Sequence, residues 1–109
     1  MTERYSNISE LRKAVTESGS HWFSRGALAF FGTRLERGVY GPNGRVFITS
    51  EQDDMEQVWD GERCWSVREV LPDPMPNGML DVVTVGEFGG YETLKEAREA
   101  AREYVAAQD

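Results

Sequence analysis

The amino-acid sequence predicts an α+β fold in which a four- to five-stranded antiparallel meander sheet is flanked by an N-terminal and a C-terminal helix. Two observations predict it. Apolar residues recur at helical spacing near both ends of the chain, and short β-branched and aromatic runs, separated by Gly, Pro, Asn and Asp, fill the middle. A chain of 109 residues with 39% hydrophobic residues has the size of one domain, so residues 1–109 are predicted to fold as a single α+β domain.

The first helix is predicted to begin at Asn7 or Ser9 and to end at Ser18 and Gly19. Glu10 follows Asn7 by three residues, which is the spacing of a capping box. The apolar residues of this segment recur at spacings of three and four, and these are Ile8, Leu11 and Val15.

The first strands are predicted from β-branched and aromatic runs. Residues 28–33 form the first of these runs. A turn at Gly41-Pro42-Asn43-Gly44 then joins residues 38–40 to residues 46–49, because proline presets φ and Asn-Gly tolerates positive φ. The pattern is typical of a β-hairpin.

Further strands are predicted downstream of this hairpin. Asp60-Gly61 favours a tight turn between residues 57–59 and residues 63–67. Residues 71–78 are predicted to form a loop, since their three prolines remove backbone donors from any ladder. Residues 79–85 resume as a strand.

The C-terminal helix has the clearest signals in the chain. Thr93 and Glu96 have capping-box spacing, and one face collects Leu94, Ala97, Ala101 and Tyr104 or Val105. The small alanines predict a close approach to the sheet. We expect both terminal helices to cover the same sheet face.

Composition argues against catalysis, metals and cofactors. The single Cys64 and the single His21 do not form a zinc-binding cluster, and neither has the partners of a catalytic triad. The glycines at residues 86–90 lack the Lys-Ser/Thr pair of a phosphate-binding loop. We therefore expect no enzymatic activity, no cofactor and no metal.

Hydropathy argues against a membrane protein. No segment approaches the roughly 20 apolar residues that span a bilayer, and residues 1–5 do not resemble a secretion signal. The expected location is the cytoplasm.

The formal net charge of −7 is unevenly distributed. Residues 1–48 hold seven Lys/Arg and four Asp/Glu, whereas residues 49–109 hold five and fifteen. The densest acidic run, residues 51–62, is interpreted either as a solubilising loop or as a docking face for a basic protein partner. The partner-binding candidates are Glu51, Asp53, Asp54, Glu56, Trp59, Asp60 and Glu62.

Two alternatives of other classes stay open. A nucleic-acid-binding module could use the basic first hairpin, through Arg25, Arg34, Arg37 and Arg45, although the acidic remainder disfavours it. A purely structural module could oligomerise through its strand edges. Whether Arg34 and Arg68 are exposed, or buried against carboxylates such as Glu51 or Glu87, is likewise open.

Several short motifs occur in an order that resembles a group of small uncharacterised bacteriophage and mobile-element proteins. The resemblance extends from about Gly19 to Val105 and implies a phage or prophage origin, with no activity that could be transferred. The motifs are Phe30-Phe31-Gly32-Thr33-Arg34, Val39-Tyr40-Gly41, Phe47-Ile48-Thr49-Ser50-Glu51, Ser66-Val67-Arg68, Thr84-Val85-Gly86-Glu87-Phe88 and Gly90-Tyr91.

Overall fold

A four-stranded sheet between two terminal helices forms the framework of the computed structural model, which describes residues 5–30, 33–51, 64–86 and 89–107. The strand order is β1-β2-β3-β4 and every neighbouring pair is antiparallel, which confirms the α+β meander. The elements are α1 (Ile8–Glu17), α2 (Arg25–Phe30), β1 (Arg34–Tyr40), β2 (Val46–Glu51), β3 (Cys64–Val70), β4 (Val82–Val85) and α3 (Leu94–Ala107).

Helix α1 has the predicted cap. The Asn7 side chain accepts a hydrogen bond from the backbone N–H of Glu10 at 3.1 Å, and the Glu10 carboxylate accepts one from the N–H of Ser6 at 2.7 Å. The helix ends at Ser18, and Gly19 follows with a φ of 102°. Local capping chemistry therefore determines both ends of this helix.

The strand predicted at residues 28–33 is wrong. This part of the chain enters the short helix α2, whose start is capped by the Ser24 hydroxyl accepting from the N–H of Ala27 at 3.2 Å. Alanine favours helix over strand, and a short apolar run does not by itself distinguish the two. Strand β1 begins later, at Arg34.

The predicted hairpin between β1 and β2 is confirmed. Its turn is closed by a hydrogen bond from the N–H of Gly44 to the carbonyl of Gly41 at 3.2 Å. Gly44 has a φ of 65°, and a Cβ there would lie 2.0 Å from the carbonyl oxygen of Tyr5. Glycine is therefore required where the chain before α1 crosses the turn. The register between β1 and β2 shifts between Leu35 and Val39, so the ladder is irregular there.

Strands β3 and β4 form a second hairpin. β3 contains most of the strand predicted at residues 63–67 and continues to Val70, whereas β4 is confined to the end of the predicted 79–85 segment. The strand and turn predicted at residues 57–61 lie outside the described residues. Residues 71–81 form the predicted loop between the two strands.

The two terminal helices lie on opposite faces of the sheet, so the expectation of a shared face is wrong. Leu11 and Val15 of α1 belong to one buried cluster with Phe47, whereas Ala97 and Ala101 of α3 belong to another with Ile48. Successive strand residues point to opposite faces. All six residues of β2 are accordingly buried.

Helix α3 begins as predicted and packs closely on the sheet. The Thr93 hydroxyl accepts from the N–H of Glu96 at 3.1 Å, and Ala97 and Ala101 are both fully buried. Their small side chains allow the helix backbone to approach the valines and isoleucine of the central strands.

Replacing Ala97 or Ala101 by glutamine is expected to lower the free energy of unfolding by about 1–3 kcal/mol, because a long polar side chain cannot be placed between α3 and the sheet. Urea denaturation measures the change. Lys95→Gln, on the exposed side of the same helix, is the matched control and should have little effect. Equal losses from the two substitutions would contradict the orientation of α3.

Candidate functional site

Polar and charged side chains gather on the sheet face that also carries the α1 cluster. The register pairs Thr49 with Ser66 and Arg68 with Thr84. Side chains at paired positions share a face, and Glu51 shares that of Thr49 because it lies two residues further along β2. Three adjacent strands thus bring five polar side chains together.

An ion pair lies at the centre of this cluster. The Arg68 Nη2 donates to the Glu51 Oε1 at 2.8 Å, and its Nε donates to the Thr49 hydroxyl oxygen at 3.1 Å. Its Nη1 donates to the Thr84 hydroxyl. The guanidinium therefore connects β3 to both of its neighbouring strands.

The Glu51 carboxylate is held by donors on both oxygens. The Thr49 hydroxyl donates to Oε1, and the Ser66 hydroxyl donates to Oε2 at 3.0 Å. Ser66 in turn accepts from the backbone N–H of Gly89 at 2.7 Å. The network therefore fixes the position of the chain segment that precedes α3.

Aromatic rings cover the arginine. The guanidinium carbon of Arg68 lies 5.4 Å from the centroid of the Trp22 ring, a cation–π distance. Trp22 also meets Phe23 and Phe47 edge to face, with centroid separations of 4.8 and 5.6 Å. The segment after α1 thereby packs on the network and shields it.

Burial determines what this arrangement can do. The Glu51 side chain is fully buried and that of Arg68 is 11% exposed. A buried charge is tolerated when it is paired and its remaining hydrogen-bonding capacity is used. The Glu51 carboxylate is neutralised by Arg68 and holds the Ser66 proton in a hydrogen bond, so the arrangement is suited to fixing strands in place rather than to proton transfer.

The burial of Glu51 corrects one predicted site residue, because a fully buried carboxylate that is paired with an arginine is not part of an exposed docking face. Of the two open alternatives for Arg68, the structure shows burial against Glu51. The other predicted partner-binding residues lie outside the described residues, and these are Asp53, Asp54, Glu56, Trp59, Asp60 and Glu62.

The four arginines of the nucleic-acid alternative do not form one basic ribbon. Arg25, Arg34 and Arg37 are exposed. The guanidinium carbon of Arg45 lies 5.7 Å from the Tyr5 ring centroid, and its Nε and Nη1 atoms are buried without a hydrogen-bond partner among the described residues. Arg45 is therefore packed against the N-terminal segment.

The two residues considered for catalysis lie in different parts of the chain, His21 between α1 and α2 and Cys64 in β3. His21 is exposed, and Cys64 is half-buried at the start of β3, where its Sγ donates to the Glu51 carbonyl at 3.5 Å. Within the described ranges, no group of three or more His, Cys, Asp or Glu residues could hold a metal ion. The same part of the chain contains no helix long and apolar enough to span a membrane.

A second polar cluster links β1 to α3. The Tyr40 hydroxyl donates to the Glu36 Oε1, and the Arg98 Nε donates to the Glu36 Oε2 at 2.8 Å. Burial, followed by the hydrogen bond to the Glu36 carboxylate and the charge of that carboxylate, raises the pKa of Tyr40 to about 12. The Glu36 contact also raises the pKa of Arg98.

The fold and its buried network define a small α+β protein in which helices cover both faces of an antiparallel meander. The chain belongs to DUF7447, a family of unknown function whose model matches residues 7–102. No curated protein and no solved structure matches the chain significantly.

Arg68→Met is expected to lower the free energy of unfolding by about 3–5 kcal/mol, because it leaves the buried Glu51 carboxylate without its counter-charge. Chemical denaturation measures this, and Glu51→Met/Arg68→Met should be less destabilised than the single variant, since it leaves no unpaired charge. Arg98→Met removes an ion pair of the same 2.8 Å length that is 45% exposed on the arginine side, and its effect should be far smaller. A similar loss from both single variants would contradict the central role of burial.

Tyr40 is expected to make folding stability depend on alkaline pH. The pKa of Tyr40 is about 10 in the unfolded chain and about 12 in the folded protein. Its contribution to the free energy of unfolding is therefore fully present below pH 10 and is lost as the pH rises toward 12. Thermal unfolding between pH 9 and pH 12 measures the dependence, with Tyr40→Phe as the control that removes this ionisation. If both proteins lose stability with the same slope, Tyr40 is not the responsible group.

Proposed function

We propose that this chain is a non-enzymatic accessory protein of bacteriophages or mobile elements that binds a basic protein partner, such as a host or defence component, in the host cytoplasm. The proposed contact surface is the acidic connection between β2 and β3. We refer to residues 52–63 as the acidic connection.

The observation that carries the proposal is the register at the base of this connection. Glu51 and Cys64 are direct partners in the sheet, so the chain leaves β2 and enters β3 at adjacent positions, with twelve residues between them. They contain five acidic residues and one basic residue, a net charge of −4 in a chain whose net charge is −7. More than half of the net charge of the chain therefore belongs to this connection.

The composition of the connection supports a binding role. A concentrated field of one sign accelerates the encounter with an oppositely charged partner. Trp59 lies within the same connection and is a residue type that is enriched in binding hot spots.

The described network explains how such a connection could be attached rigidly. Glu51 immediately precedes the connection and Ser66 lies three residues after it, and both belong to the buried hydrogen-bonded network. The sheet therefore holds Glu51 and Cys64, the residues that flank the connection, as direct partners.

The test neutralises Asp53, Asp54 and Glu56 together by substitution with the corresponding amides. The variant is expected to lose a partner captured from host lysate by the wild-type protein, with a loss that diminishes as salt is raised, while its unfolding midpoint stays nearly unchanged. Quantitative mass spectrometry of the captured proteins and thermal unfolding provide the two readouts.

The matched control neutralises three exposed acids of α3 or its start, Glu92, Glu99 and Glu103, and so changes the net charge equally. Equal loss of the partner from both variants would mean that net charge alone matters. Salt-sensitive binding of random-sequence DNA that Arg34→Ala/Arg37→Ala abolishes would replace the proposal with the nucleic-acid alternative.

A further inference from the structure

A cavity of about 270 Å³ is lined by the β1–β2 turn, the start of β2 and the last turn of α3. Val46 belongs to the buried cluster on the α3 face of the sheet, and Val105 packs against that cluster. Pro42 and Pro72 add further apolar wall. The volume is slightly below the roughly 300–1,000 Å³ typical of small-molecule sites, so the cavity suits a ligand with few non-hydrogen atoms.

Glu69 contributes a carboxylate to this cavity. The register pairs Glu69 with Val46, so its side chain lies on the same sheet face as the apolar wall. Its Oε1 accepts a hydrogen bond from the Tyr104 hydroxyl at 2.6 Å, and in the described part of the chain no Lys or Arg forms an ion pair with it. A carboxylate has about four acceptor sites, so Glu69 can accept hydrogen bonds from a ligand as well.

Arg45 also borders the cavity, but its charge lies on the other side of the sheet. Val46 and Phe47 belong to clusters on opposite faces, and the alternation along β2 places the Arg45 side chain on the face of Phe47. The Arg45 guanidinium accordingly lies over the ring of Tyr5, which belongs to the same cluster as Phe47. Glu69 therefore supplies the charge on the side of the cavity that α3 covers.

Two further features of the cavity favour a cation. The last four carbonyls of a helix lack intrahelical partners and carry partial negative charge, and α3 has no basic residue in its last turn, to which Val105 belongs. Tyr40 lines the same cavity, and the face of an aromatic ring attracts ammonium groups. The helix end and the aromatic residue thus add to the attraction of the Glu69 carboxylate.

We propose that this cavity binds a small organic ammonium ion, with its charged group hydrogen-bonded to the Glu69 carboxylate and its alkyl part against Val46 and Val105. The carboxylate supplies the counter-charge that a desolvated ammonium group requires. A metal ion fits the cavity poorly, because Ca²⁺ or Mg²⁺ takes about six or more oxygen ligands and these walls are largely apolar. The site uses no residue of the acidic connection, so it is independent of the function proposed above.

The probe is n-butylammonium chloride, titrated into the full chain and followed by NMR of the backbone amides. Wild-type protein is expected to bind it with a dissociation constant of about 1 mM, since a ligand with few atoms makes few contacts. The shifts should centre on Gly41, Val46 and Val105. n-Butyrate, an anion of similar size, should not shift these amides, and uncharged n-butanol should bind at least about tenfold more weakly, because it lacks the charge-assisted hydrogen bond.

Glu69→Gln keeps an acceptor for the Tyr104 hydroxyl but removes the charge, and it is expected to raise the dissociation constant at least about tenfold. Glu17→Gln, at an exposed position of α1, is the charge-matched control and should bind like wild type. Val105→Phe reduces the cavity volume without changing the charge and should also weaken binding. Circular dichroism verifies that the variants are folded.

Neutralising Asp53, Asp54 and Glu56 should leave the binding of n-butylammonium unchanged, which separates this proposal from the one on the acidic connection. Five results would each overturn the proposal. These are a wild-type protein without shifts, shifts confined to residues 52–63, loss of binding in the triple variant, equal binding of n-butyrate, and a Glu69→Gln variant that binds like wild type.

Discussion

The buried pair of Glu51 and Arg68 is the interaction on which the architecture depends. Helices on both sheet faces bury β2 completely, so an ionised residue in that strand must find its counter-charge inside the protein. Arg68 provides it from the adjacent strand and also reaches Thr49 and Thr84. One guanidinium thus joins three strands, and the Ser66 contact with Gly89 extends the connection toward α3.

The burial of this pair distinguishes Glu51 from the other acidic residues of the run at residues 51–62. Glu51 belongs to the interior, where its charge is neutralised, and the acidic connection begins only at residue 52. Glu51 and its partner Cys64 lie at one end of the central strands, while the β1–β2 turn and residues 71–81 lie at the other end.

The parts of the fold that sequence predicted are those determined by local chemistry. The capping boxes of α1 and α3, and the Pro-Asn-Gly turn, act within a few residues and appear as such in the sequence. The prediction of a strand at residues 28–33 was wrong because Ser24 caps a helix there, and the apolar run by itself fits either structure. The buried network could not be predicted from the sequence, because it depends on the register between β2 and β3. The visible signal was a polar residue at every second position, with Thr49 and Glu51 in one strand and Ser66 and Arg68 in the next.

The register between β2 and β3 follows from the buried polar residues of these two strands. A slip of β3 by one residue would turn Arg68 toward the opposite face, where Ala97 and Ala101 bring α3 close to the sheet. It would also leave the Glu51 carboxylate buried without its counter-charge, which is among the most costly arrangements in a protein interior. The apolar residues of β2 face both ways and so discriminate weakly between registers. The buried ion pair therefore selects one pairing between β2 and β3.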